Sequence, residues 1–425
     1  MKFSSIIFLW IYKTLTLIFA PLGVVFICYK KRRDPPYGKR VFELLGFYKQ
    51  KTDKCIWFHA ASVGEVNSLK PLIKRFSETY PNYPVVLTTM TTTGELSARS
   101  IKNIITVFMP LDSSCALKRF FKRFNPSLLL IVDTELWPNM LNTAIKYNCK
   151  TLIVNGRMQE KNCKSYLKFK NIVKDLIAPP IYKVMCISPD DADRFSRIGV
   201  DPKKISVAGN IKYDLYLNQD QFKKGREIKD ITKVKILCCA STHEGEESMC
   251  INAFKQMRKK NPLLKLVLVP RHKTGTILAE KYLKKMEFKS IKKSFIKNKN
   301  EYLKYDIIIG DTIGEMPFYL GLSDLVFLGG SFIPVGGHNP LEPAYFALPC
   351  ITGPHYHNFK DQFLKLIDHG GAFEAENPQR LSEIALTLLK DDESLKISGI
   401  KALDILTQGK GCIDKILFEI SKILK

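Results

Sequence analysis

His59-Ala60-Ala61-Ser62-Val63-Gly64-Glu65 sets a hydroxyl and a carboxylate three residues apart, between an apolar run and a helical pattern. The S-x-x-E spacing is that of a capping box, in which two side chains satisfy the first backbone amides of a helix. The other reading is a carboxylate held at a loop as a general base toward a sugar hydroxyl, a role Glu65 fits if partial burial lifts its pKa far enough. Ser62 and Glu65 carry both readings. A second stretch, 329–343 (GGSFIPVGGHNPLEP), combines two glycine pairs, a histidine, an N-cap residue and an acid. Paired glycines admit close approach of a ligand to the backbone. Asn339 followed by Pro340 opens a helix whose free amides favour a phosphate. Glu342 either closes a capping box or accepts from ribose hydroxyls.

Smaller groups follow other apolar runs. Pro270-Arg271-His272 offers a guanidinium fork for a phosphate, against the plainer reading of a surface arginine. Asp311-Thr312-Ile313-Gly314-Glu315 offers another helix start, and Ser241 with Glu244 has capping spacing. Asp133-Thr134-Glu135-Leu136-Trp137-Pro138-Asn139 and Asn155-Gly156-Arg157 supply Glu135 and Arg157 either as acceptor-site groups or as a buried ion pair. Residues 161–177 place Tyr166, Phe169, Ile172, Val173, Leu176 and Ile177 at helical spacing among Lys164, Lys168, Lys170 and Lys174. That pattern suits one amphipathic helix, lying either on a core or on an anionic membrane.

These loops need strands to position them. The expected strands are 55–59, 85–88, 106–109, 128–132, 151–154 and 184–187, then 234–239, 265–269, 307–309, 325–328 and 350–352. Helical patterns such as 66–80 and 116–124 lie between. Strand–helix alternation implies parallel sheets with right-handed crossovers, and ligands bind beyond the strands' carboxyl ends. A polar, Lys-rich stretch near 215–230 reads as a linker. The expected organisation is an anchor over 1–40, an α/β domain over 41–212, a linker over 213–232 and a second α/β domain over 233–425. Two such lobes imply a crevice between them.

Ile6 to Cys28 is almost continuously apolar, long enough to span a bilayer. The charges Lys30, Lys31, Arg32, Arg33, Lys39 and Arg40 follow it, which places that side in the cytoplasm. A cleaved signal peptide wants its charges before the apolar run. A one-sided insertion bent at Pro21 is the alternative. The formal net charge of +25 favours polyanionic partners. Lysines are dispersed and no nucleic-acid motif is present, so an anionic membrane is expected rather than nucleic acid. Eleven cysteines without a CxxC pair suit reduced thiols, and no metal site is expected.

Taken together the motifs resemble the Kdo transferase family (WaaA/KdtA, glycosyltransferase family 30). The stretches that carry the resemblance are HAASVGE at 59–65, TTMTTTGE at 88–95, TELWPN at 134–139, NGR at 155–157, GNIKYD at 209–214, ASTHEGEE at 240–247, PRH at 270–272, DTIGEM at 311–316 and GGSFIPVGGHNPLEPA at 329–344. His357 and the run Cys186-Ile187-Ser188-Pro189 depart from the pattern. The resemblance implies a GT-B fold: two Rossmann-like parallel-sheet domains facing a crevice, plus the N-terminal membrane anchor. It implies inverting transfer of Kdo from CMP-Kdo to lipid IVA with release of CMP, CMP-Kdo being a co-substrate and no cofactor being needed. It implies Glu65 as general base, and Arg271, His272, Thr312, Gly314, Glu315, Ser331, Gly337, Asn339, Glu342 and Lys212 around the donor. Glu135, Arg157 and Ser62 are acceptor-site candidates. The expected location is a bacterial inner membrane, with one anchor and the catalytic domains on the cytoplasmic side. The alternative is another membrane-associated GT-B transferase using a UDP- or GDP-sugar.

Overall fold

In the computed structural model, residues 3–30 and 40–424 are described. The chain divides into two compact units, Met1–Asp214 with Gly409–Lys425, and Leu215–Gln408.

The first unit holds seven strands: β1 (Cys55–His59), β2 (Val85–Thr89), β3 (Ile105–Phe108), β4 (Pro126–Val132), β5 (Lys150–Gly156), β6 (Ile181–Cys186) and β7 (Ile205–Val207). They pair in parallel in the order β3-β2-β1-β4-β5-β6-β7. Every residue of β1 and β2 is buried, as expected of parallel strands covered on both faces. Trp57 packs one face against Phe120 and Phe121. Phe58 packs the other face against Phe76 of the helix Val63–Thr79. The strand order reverses between β1 and β4, and the loops at their carboxyl ends diverge there.

The second unit repeats the plan with β8 (Ile236–Thr242), β9 (Lys265–Pro270), β10 (Ser290–Lys292), β11 (Ile307–Ile309), β12 (Leu325–Leu328), β13 (Cys350–Thr352) and β14 (Ala372–Glu374). The order is β10-β11-β9-β8-β12-β13-β14, with the reversal between β8 and β12.

The boundaries differ from those expected in two places. The stretch expected as a linker is the helix Gln219–Thr232, part of the second unit. It crosses the helix Met316–Gly321 so closely that a Cβ on Gly225 would strike the Phe318 carbonyl, and one on Gly321 the Phe222 carbonyl. Two glycines allow that approach, and they leave little apolar periodicity to read. The last helix, Cys412–Leu424, belongs to the first unit rather than the second, with Ile413, Ile416 and Ile420 in the core around Phe58. Asp214 holds its start by accepting from the amides of Gly411 (2.7 Å) and Ile413 (2.6 Å).

The apolar N-terminus is the helix Phe3–Lys30, whose segment Phe3–Ile27 has a mean hydropathy of 1.7 and the length to cross a bilayer. Polar contacts seat it on the first unit: Ser5 Oγ donates to Asp175 (2.8 Å), Tyr12 to Asp112 (2.8 Å), and Asn139 Nδ2 to Thr16 Oγ1 (3.0 Å). Arg40 pairs with Glu43 through Nε (2.7 Å) and Nη2 (2.9 Å), and with Glu95. The rest of the expected basic run, 31–33 and Lys39, lies outside the described residues. The single helix expected over 161–177 is two, Glu160–Leu167 and Lys170–Leu176, with Phe169 exposed at the break.

Candidate active site

In the first unit the site is built at the β1/β4 reversal. The loop after β1 is fastened to the end of β2: Ala60 N donates to the Thr88 carbonyl (3.0 Å) and Met90 N to that of Ala61 (3.1 Å). Ser62 has extended backbone (φ −117°, ψ 165°) and caps the helix Val63–Thr79. Its Oγ accepts from Glu65 N (3.4 Å) and donates to Glu65 Oε1 (2.7 Å), while Ala61 N donates to Oε2 (2.8 Å). The N-cap half of the expected capping box forms, while the Glu65 side chain reaches one residue further back, to the Ala61 amide and the Ser62 hydroxyl, and these bonds aim the carboxylate. Each oxygen accepts one bond and keeps a lone pair for a substrate proton. Glu65 is half-buried. Burial raises its pKa above the ordinary carboxylate value, and the charges of Asp133 and Glu135 push the same way against the Ser62 and Ala61 bonds.

Asp133 directly follows β4 in the left-handed region (φ 58°), a costly conformation for a non-glycine residue, and one that clusters at functional sites. Asn155, at the end of β5, donates to its Oδ1 (2.9 Å). Burial raises the Asp133 pKa, opposed by that bond and by the charges of Arg157 and Lys212. Glu135 accepts from Trp137 Nε1 (2.7 Å). The structure thus gathers Glu65, Ser62, Asp133, Glu135, Arg157 and Lys212 into one cluster. Lys212, expected with the donor residues, belongs to the first unit, in the short helix Ile211–Tyr213 capped by Asn210. Sequence reasoning gave Asp133 no role; its signal was its place directly after a buried strand.

In the second unit the loops after β8 and β12 are locked by one residue the sequence reading passed over. The buried Glu246 carboxylate accepts from four backbone amides: His243 (3.0 Å), Gly330 (2.5 Å), Ser331 (3.0 Å) and Phe332 (2.8 Å). Those glycine-loop amides are consequently filled from within. The expected cap by Ser241 and Glu244 does not form; the helix Glu246–Lys260 is capped at Gly245. Ser331 is buried too, donating to the Leu328 carbonyl (2.6 Å) and accepting from Gly353 N (2.8 Å), so it shapes the loop. Gly337 takes φ 73° as its amide reaches the Gly330 carbonyl (2.7 Å). Asn339 Oδ1 accepts from Leu341 N (3.1 Å) at the helix Leu341–Tyr345.

Around that frame stand the groups with open chemistry. Arg271 follows β9 directly and is exposed, and among the described residues its guanidinium makes no ion pair. Its charge offsets the burial that raises the half-buried Glu342. His243 and His338 stack with Nε2 atoms 3.0 Å apart, and the His272 ring stands edge-on to His243 at 5.5 Å. Burial first, then the neighbouring His243, Arg271 and His272, hold the His338 pKa down to about 4; burial also lowers that of His243, against the opposing charge of Glu246. With His243 and His338 neutral, the exposed positive charge beside them is that of Arg271. After β11 a second group forms: Glu315 accepts from Lys293 (2.7 Å) and from Thr312, whose hydroxyl also meets Tyr319 (2.5 Å). Burial alone would raise the Glu315 pKa, but these partners hold it below the ordinary value. A Cβ on Gly314 (φ 80°) would meet open space.

Two doubly wound parallel units with the candidate-site loops near the reversals define a GT-B-type α/β protein. The glycosyltransferase from Rickettsia africae ESF-5 shares the fold, with a TM-score of 0.54 at 14% identity over 89% of this chain and 100% of that one. So does a putative UDP-N-acetylglucosamine 2-epimerase from Listeria monocytogenes (TM-score 0.51, 16% identity, 88% and 96%). The fold alone therefore does not set the activity. Sequence likeness is narrower. Residues 39–215 match the family model described as 3-Deoxy-D-manno-octulosonic-acid transferase (kdotransferase). The 3-deoxy-D-manno-octulosonic acid transferase of Haemophilus influenzae is 32% identical over 417 residues, 96% of each chain. That of Chlamydophila psittaci is 30% identical over 367 residues, 83% of each. The chain belongs to the 3-deoxy-D-manno-octulosonic acid (Kdo) transferase family.

Proposed function

We propose that this transferase moves Kdo from CMP-Kdo to lipid IVA with inversion, releasing CMP, at the cytoplasmic face of a bacterial inner membrane. The observation that carries the reading is the Glu65 carboxylate, held by Ala61 and Ser62 and raised in pKa beside Asp133 and Glu135. A base so placed takes the proton of an acceptor hydroxyl as it attacks the activated sugar. CMP-Kdo already carries its leaving group, so the remaining need is to hold the cytidylate phosphate, which Arg271 can do through a charged hydrogen bond. His272, Thr312, Gly314, Glu315, Gly337, Asn339 and Glu342 line the same strand ends and complete the donor group, with Ser331 keeping the loop in shape. Lys212 supplies a cation for the donor carboxylate from beside Asp133. Glu135 and Arg157 flank the acceptor. The apolar helix Phe3–Lys30 supports attachment to the membrane in which a lipid acceptor resides.

The test is direct. Purified protein with CMP-Kdo and lipid IVA gives a product heavier by one or more Kdo units by mass spectrometry, and Glu65→Gln abolishes the increment. Transfer from a UDP- or GDP-sugar, with none from CMP-Kdo, would overturn the donor assignment.

A further inference from the structure

Beside Glu135 the first unit carries an apolar slot of about 360 Å³, within the ~300–1,000 Å³ range of small-molecule sites. Phe8 and Tyr12 of the N-terminal helix form one wall; Trp137, Tyr166, Phe169 and Ile172 form much of the other. The polar tips of two of these aromatics are spent elsewhere, Tyr12 on Asp112 and Trp137 on Glu135, so they present carbon to the slot. At one end Glu135 lies close enough to Glu65 for its charge to raise that carboxyl. At the other the wall is the N-terminal helix, whose apolar residues turned away from the first unit, Phe3, Ile7, Trp10 and Ile11 among them, are exposed. Exposed Lys161, Lys164, Lys168, Lys170 and Lys174 stud the two short helices behind Tyr166 and Ile172.

We propose that this slot takes one acyl chain of a membrane-borne, phosphorylated glycolipid and so sets the distance at which its sugar meets Glu65. The inference rests on the reading of Glu65 as base toward a lipid acceptor. Two observations choose the occupant. The slot is walled on one side by Phe8 and Tyr12 of the apolar helix, so a chain seated in it lies against the segment with the length and composition to enter hydrocarbon. The surrounding lysines complement an anionic headgroup, since basic residues near a membrane surface are attracted to anionic lipid. Burying a methylene contributes about 0.8 kcal/mol, so each pair of methylenes seated changes affinity about tenfold.

Trp137 is a built-in reporter, because Trp57 is wholly buried in the sheet and Trp10 can be removed as Trp10→Phe. Full-length W10F protein in detergent is titrated with phosphatidylglycerol carrying brominated chains. Saturable quenching is expected, retained in W10F/Ile172→Leu and lost in W10F/Ile172→Asp. Absent quenching, or equal quenching in the Asp variant, overturns the proposal. So does a change in sedimentation of the Asp variant, which would make the slot a contact between copies. With lipid IVA and its de-acylated phosphodisaccharide as acceptors, Ile172→Asp should raise KM for the acylated one about tenfold more than for the other. An equal rise on both means a structural defect and sinks the idea. If the wild type glycosylates neither acceptor, the functional reading falls, while the quenching still decides the slot.

Discussion

The two sheets reverse their strand order at equivalent places, yet the loops there differ in charge and in how they are held. At β1/β4 carboxylates crowd together, Glu65 with Asp133 and Glu135, and the Glu65 carboxylate is aimed by its own helix cap. At β8/β12 the acid Glu246 is buried as a structural clasp on four amides, and the exposed charge is the cation Arg271 beside two neutral histidines. One topology thus hosts two kinds of electrostatics. Crowded acids raise a carboxyl's affinity for a proton, whereas an exposed guanidinium beside neutral rings offers a positive fork, the two complementary kinds of charge that the proposed transfer uses.

The sharpest way to break this division is Glu65→Gln. It should lower kcat by about 10²–10⁴-fold, the usual worth of a general base, while calorimetry finds CMP affinity unchanged. A parallel loss of CMP affinity would mean that the first unit also holds the nucleotide. Glu246→Ala leaves buried amides of Gly330, Ser331 and Phe332 without an acceptor, at about 1–3 kcal/mol each. Its melting temperature should fall by roughly 5 °C or more, with a raised KM for donor. A stable variant with normal KM would show that the loop needs no clasp. Arg271→Ala should weaken CMP binding by about 10–100-fold, the value of a charged hydrogen bond, without altering the melting temperature. Unaltered affinity would move the phosphate to the Glu315 side.

The smallest effect tests the crowding itself. A carboxyl of raised pKa stays protonated, and idle as a base, over a wider acidic range, so activity falls as pH drops through that pKa. Removing the Glu135 charge as Glu135→Gln takes away one raising influence. The acid limb of kcat should move to lower pH, and the plateau at higher pH should stay near that of the wild type. An unmoved limb would assign it to another group.

Much of this arrangement was legible in the chain. The central strands β1, β11, β12 and β13 fall where their continuous apolar runs place them, because parallel strands buried on both faces leave that mark. The edge strands β7, β10 and β14 went unread, being three residues long and partly exposed. Ser62, Glu65, Arg271 and Asn339 could be placed because capping spacing and strand ends are local features.

What the sequence determined by itself is therefore whatever neighbours along the chain can fix: apolar runs, helix starts, glycine turns and the motifs of the family. What only tertiary structure decided lies between distant segments. Glu246 finds amides some 85 positions away, the helix Cys412–Leu424 returns to the unit begun by β1, and Lys212 settles beside Asp133. Electrostatics and buried hydrogen bonds depend on distance in space, which no local pattern of residue types encodes.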